Sequence, residues 1–128
     1  METIVHNPTD GIYAAVGGYA HAIEVRHPER LLYVAGTVGL DAAGVPGSTI
    51  EEQVAFVWSN ISAILAAADM TVDNVVRVTS YLRDASYAAA NAAARVEALG
   101  GRIVPTTAIV AETLVSEWMV EVEVIAAA

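Results

Sequence analysis

Glu121 and Glu123 are the residue pair best suited to chemistry. They stand two apart in Met119–Ala126, a Val- and Ile-rich run that predicts a strand, so both carboxylates point to one face. Two carboxylates held close together raise one another's pKa, which suits one of them to proton transfer near neutral pH. A solvated polar face gives the same pattern, and residue types alone leave both readings open. Other chemistries are excluded more sharply. There is no cysteine, hence no thiolate nucleophile, disulfide or Cys-based metal site. There is no lysine, which removes Schiff-base catalysis through a lysine amine. His6, His21 and His27 lack ligand spacing such as His-x-x-x-His, so no metal site is signalled. Gly17-Gly18 and Gly100-Gly101 are turn or cap signals, not a nucleotide-binding loop.

The charge balance bounds the partners. Fifteen acidic residues against six basic ones, all of them arginine, give a formal charge of −9. Such a surface repels a phosphate backbone, and the arginines form no stripe, so nucleic acid is not an expected partner. Hydrophobic residues make up 55% of the chain and charged residues 16%, which leaves little charge to coat an isolated small domain. Self-association is therefore expected. No apolar run reaches the roughly 18 residues that span a bilayer. The segment Met1–Pro8 has neither a basic nor an apolar leader region. No membrane partner and a cytoplasmic location are the expectations.

No linker or repeat divides the 128 residues, which read as a single domain, 1–128. Ala20–Val25 and Leu31–Ala35 read as strands, with His27-Pro28-Glu29-Arg30 as a turn that would pair them in a hairpin. The Gly- and Pro-broken stretch from Asp41 to Ser48 reads as a loop. Ser48 and Thr49 each precede a glutamate by three residues, Glu51 and Glu52, giving two alternative capping-box registers. Val54, Val57, Ile61, Ile64, Leu65 and Ala68 then recur at helical spacing until Asp69–Asp73 ends the helix. Val75–Leu82 is rich in β-branched residues and predicts a strand. A second helix is expected from Asp84–Ser86 to about Leu99, stopped by Gly100-Gly101. Strands over Thr106–Ala111 and Met119–Ala126 complete a β-β-α-β-α-β-β order. The result is an α+β fold in which two helices cover one face of a mixed sheet and the other face awaits a second copy.

Several segments resemble the Rid (reactive intermediate deaminase) or YjgF-type family. Gly18-Tyr19-Ala-His-Ala-Ile23 is similar to its Gly-x-Tyr-Ser-x-Ala-Ile opening. Leu32-Tyr-Val-Ala-Gly36 with Leu40-Asp41 resembles the strand that ends in Ser-Gly and leads to Leu-Asp. Glu52-Gln53, Asn60-Ile61, Ala63-Ile-Leu65 and Asp73-Asn-Val-Val76 match the following helix and strand, and Val120-Glu-Val-Glu-Val-Ile-Ala126 the terminal strand. The similarity runs from about Tyr19 to Ala126. It implies a chorismate-mutase-like fold, a homotrimer with sites in the clefts between subunits, a small-molecule substrate, and hydrolysis of enamines or imines without a cofactor.

The same resemblance, read together with the chemistry of each residue, gives the candidate residues. Glu121 falls where the family's last-strand glutamate positions or activates water, with Glu123 in a structural role, paired with an arginine. Tyr19 and Asn91 would line the cleft, although Ala92 stands where the family has Glu after that Asn. Neutral donors at Gly36, Thr37 and Thr107 would hold the substrate, and His21 is a further acid–base candidate. The family binds the substrate carboxylate with an arginine after a proline, in Arg-Pro-x-Arg-Ser. Here Ile103-Val-Pro-Thr-Thr-Ala108 puts Thr107 in that place. Exchanging a charge-assisted pair for one neutral hydroxyl loses about 1.5–3 kcal/mol. The resemblance therefore implies imines or enamines lacking the usual 2-imino acid carboxylate, unless Arg102 reaches back into the cleft. The alternative function is a non-hydrolytic metabolite-binding trimer, or a biosynthetic enzyme using the same cleft.

Overall fold

In a computed structural model describing residues 1–128, the expected α+β architecture is present, with two strands more than the sequence signals. The strands are β1 (Glu2–His6), β2 (Ala22–Arg26), β3 (Leu31–Tyr33), β4 (Thr37–Val38), β5 (Val75–Leu82), β6 (Thr106–Val110) and β7 (Val120–Ala127). The helices are α1 (Ile50–Ala67) and α2 (Ala88–Ala98), the latter preceded by a 3₁₀ turn over Ala85–Tyr87. Neither helix is long and apolar enough to cross a membrane.

The main sheet runs β3-β7-β5-β6, with β4 also pairing β7; β5–β6 is parallel and the other pairs are antiparallel. The expected hairpin between the strands flanking His27–Arg30 does not form. Instead β2 pairs β1 in a separate two-stranded sheet, and β3 joins β7. His27 takes a left-handed backbone (φ 53°), and Glu29 and Arg30 donate their amides to the Ala128 carbonyl, sending the chain into the main sheet.

α1 begins at Thr49, whose hydroxyl accepts the Glu52 amide, and this selects the Thr49/Glu52 register. Glu52 reaches back to the amide and hydroxyl of Ser48 rather than to Thr49, and those hydrogen bonds hold its carboxyl below the usual range. The core is one layer between helices and sheet. Val57, Ile61 and Leu65 of α1 are fully buried against Val75 and Val78 of β5 and Val120, Val122 and Val124 of β7. Alternation along β7 is regular. Its even-numbered residues from Val120 to Ala126 enter the core, and Glu121, Glu123 and Ile125 are left half-buried on the opposite, uncovered face.

α1 meets the sheet very closely at its N-terminal end. A side chain on Gly39 would stand 2.6 Å from the Gln53 backbone, so only glycine fits there. The buried Gln53 carboxamide donates to the carbonyls of Gly47 (2.9 Å) and Glu117 (2.8 Å) and accepts the Met119 amide (2.9 Å). That side chain ties α1, the Asp41–Ser48 loop and the approach to β7 together, and it holds the strand that carries both glutamates.

Candidate functional site

The uncovered sheet face is a grid set by strand register. In one row Glu121 lies between Val38 and Tyr81, with Ile109 beyond. The next row is Glu123, Thr79 and Thr107, and the third is Tyr33, Ile125 and Arg77. Cross-strand neighbours stand about 5 Å apart and diagonal ones about 7–8 Å, so two long side chains can link adjacent rows. The Tyr81 hydroxyl donates to Glu123 Oε1 at 2.7 Å, and Arg77 Nη2 donates to Thr107 Oγ1, also at 2.7 Å. A depression of about 230 Å³ lies between them, lined by Tyr33, Val34, Arg77, Thr79, Glu123, Val124 and Ile125.

The two glutamates are not equivalent. Glu123 is held by Tyr81 and not by an arginine, which corrects the expected ion pair. The bond raises the Tyr81 hydroxyl above its ordinary pKa, because ionising it would lose the hydrogen bond and, beyond some desolvation, set phenolate beside the Glu123 and Glu121 carboxylates. Tyr81 thus stays a neutral donor through the physiological range. Glu121 has no hydrogen-bond partner within the chain and rests against Gly36, where a side chain would come within 2.8 Å of its carboxyl carbon. Gly36 leaves the space in which this free carboxylate sits. A half-buried carboxylate with unfilled acceptor sites can orient water and take a proton from it.

The remaining candidates are spread more widely. Thr37 is 9% exposed and its hydroxyl donates to the Ala35 carbonyl, which commits its proton to the backbone. Thr107 is exposed on β6 and already accepts from Arg77. Tyr19 stacks edge-on with His21 at 6.0 Å, and His21 Nε2 bonds the Tyr13 carbonyl at 2.9 Å. That bond gives His21 a positioning role for the N-terminal segment. Asn91 is buried on α2, one turn before Arg95, which donates to the carbonyls of Gly17 and Gly18. Tyr19 and Asn91 therefore lie with α2 and not on the Glu121 face of the same chain. Arg102 does not reach that face: its guanidinium donates to the carbonyls of Val72 (2.9 Å) and Val75 (3.2 Å).

Arg77 and Tyr81 are the site residues that the sequence reading missed. The signal was present, since counting back by twos from Tyr81 through Thr79 puts Arg77 on their face of β5. A larger hollow of about 650 Å³ lies between α1 and α2 on the helical side, lined largely by alanines with Trp58. It holds no cation and no polar cluster like that of the open face, so the chemistry is assigned to the sheet.

Comparison with known proteins agrees with this architecture. The sequence profile described as endoribonuclease L-PSP matches residues 10–128. A RutC family protein from Pyrococcus horikoshii is 28% identical over 120 residues, covering 92% of this chain and 93% of that protein. The RutC family protein YjgH from Escherichia coli is 41% identical over 54 residues, 42% of this chain and 41% of the relative. Some matched segments thus span about half of the curated relative's length or less. Among solved structures, the Rid family protein YyfB from Yersinia pestis superimposes with a TM-score of 0.85 at 27% identity, covering 100% of both chains. RidA from an Antarctic Psychrobacter gives a TM-score of 0.73 at 28% identity, over 95% of this chain and 98% of that one.

Proposed function

Because this chain belongs to the endoribonuclease L-PSP family, the Rid or YjgF family of the structures it superimposes on, we propose that it hydrolyses small reactive imines or enamines. The observation that carries this reading is the unpartnered Glu121 carboxylate in the space left by Gly36. Water held by Glu121 attacks the C=N carbon as its proton passes to the carboxylate. Glu121 returns that proton to nitrogen to give the carbinolamine. It then takes the hydroxyl proton as C=O forms and hands it to nitrogen as the C–N bond breaks, so that ammonia and a carbonyl compound leave. An enamine first takes a proton at carbon and loses one from nitrogen to become the imine. Every step is a proton transfer or an addition to a polarised carbon, so the reaction calls for no cofactor. Thr107 and the Gly36–Thr37 backbone supply neutral donors to the substrate. RNA is disfavoured as a substrate by the formal charge of −9.

The functional unit in this reading is a homotrimer. Its support is the placement of Tyr19 away from the Glu121 face, so that a cleft using both needs a second copy. Asn91, closed off inside its own chain, is a packing residue of α2 and not the cleft residue expected. The exposed Tyr33 (71%) and Ile109 (49%) on the open face favour the same burial. Light scattering is expected to give three times the 13.4 kDa chain mass. A stable monomer would remove the shared cleft.

The activity is tested by generating imines in situ with an amino-acid oxidase or an amine oxidase and timing the loss of the trapped species. The expected result is a protein-dependent acceleration. No acceleration of any imine by the assembled protein would refute hydrolysis and favour the metabolite-binding or biosynthetic alternative.

A further inference from the structure

We propose that Arg77 is the specificity-determining residue of this site, and that it selects substrates carrying a carboxylate. The inference rests on the hydrolase reading above and deepens it by naming the substrate class.

It begins with the cations of the whole chain. With no lysine, the six arginines are the only side chains that stay positively charged throughout the physiological range. Five are committed. Arg26 pairs with Glu24, and Arg30 donates to the Ala68 carbonyl at 2.7 Å. Arg83 binds the carbonyl and hydroxyl of Thr113, Arg95 the carbonyls of Gly17 and Gly18, and Arg102 those of Val72 and Val75. Arg77 alone has neither a carboxylate nor a carbonyl. One nitrogen touches the neutral Thr107 hydroxyl, and the other guanidinium donors have no partner in the chain.

This lone cation sits on the same face as two carboxylates and lines the same 230 Å³ depression as Glu123, yet forms no ion pair with either. Glu123 is instead satisfied by Tyr81. A guanidinium presents five donors in a planar fork that matches a carboxylate, so the unused donors are a receptor for one. In a chain of net charge −9 an anionic substrate is repelled at long range, and a local cation is what makes its binding favourable. Position 107 is thus not left neutral: its hydroxyl anchors a guanidinium supplied by the neighbouring strand. The substrate is a small imine bearing a carboxylate, with the anion on Arg77 and the C=N carbon toward Glu121.

The experiment compares Arg77→Met with the unaltered protein on paired imines, one from an amino acid and one from the corresponding carboxylate-free amine. The ratio of kcat/KM values, carboxylate-bearing over carboxylate-free, is expected to fall roughly ten- to a hundredfold, with partial recovery in Arg77→Lys. An unchanged ratio overturns the proposal and leaves hydrolysis standing. Should neither imine be turned over, hydrolysis fails and binding decides the role of Arg77. Pyruvate and its neutral amide are then titrated while the amide resonances of Thr79 and Thr107 are followed. A preference for pyruvate that Arg77→Met abolishes supports the assignment, and equal affinity for the two probes in the unaltered protein sinks it.

Discussion

Glu121→Gln is expected to lower turnover of accepted imines by roughly 10²–10⁴-fold, the usual contribution of a positioned acid–base group. Glutamine keeps the size of the side chain and its cross-strand place beside Tyr81, but it cannot accept the proton of the attacking water. The loss should fall on kcat, with the thermal midpoint and particle mass unmoved, because Glu121 makes no hydrogen bond that the fold uses. Glu123→Gln should cost much less, since an amide oxygen can still accept from the Tyr81 hydroxyl. Steady-state kinetics and melting curves on both variants decide the point. Unaltered turnover in Glu121→Gln would remove that residue from the reaction.

A stability effect of similar weight is expected from Gly39→Ala. The added methyl would lie 2.6 Å from Gln53 Cα, Cβ and carbonyl oxygen. Two of those are helix backbone atoms and Cβ is fixed by them, so no rotamer change relieves the contact, and α1 must move from the sheet. Overpacking of this kind costs about 1–3 kcal/mol, a fall in Tm of roughly 4–12 °C for a chain of this size. The displacement also strains the Gln53 carboxamide bonds to Gly47, Glu117 and Met119. Thermal and denaturant unfolding measure the cost. An unchanged midpoint would show that α1 can shift freely there, and that the close approach is not a constraint.

Local signals carried most of the fold. The capping residues before Ile50, the β-branched run Val75–Leu82 and the alternation through Val120–Ala126 each describe their own neighbourhood, and each element formed where expected. What failed was the pairing of β2. The turn residues between β2 and β3 favour a hairpin locally, but Leu31–Tyr33 finds Ile125–Ala127 and Ala22–Arg26 finds the chain's first strand. Those partners are distant in sequence, and nothing within a short window reports them. Glu121 was legible for the same local reason, being two residues from Glu123 on a strand. The fate of each arginine was not. Arg77 and Arg102 look alike in sequence, and only the tertiary placement of acceptor carbonyls leaves one open and the other occupied.

The alternation along β5 and β7 also bears on how such a protein diversifies. Core-side residues such as Val78, Val122 and Val124 fix the fold, whereas Arg77, Thr79, Tyr81, Glu121 and Glu123 interleave with them while adding little to the packed layer. Exchanges among the second set can redistribute charge over the face without disturbing the first. Lineages built on this sheet can therefore drift in substrate preference under weak constraint from folding, and changes at these interleaved positions are a better guide to altered chemistry than overall sequence divergence.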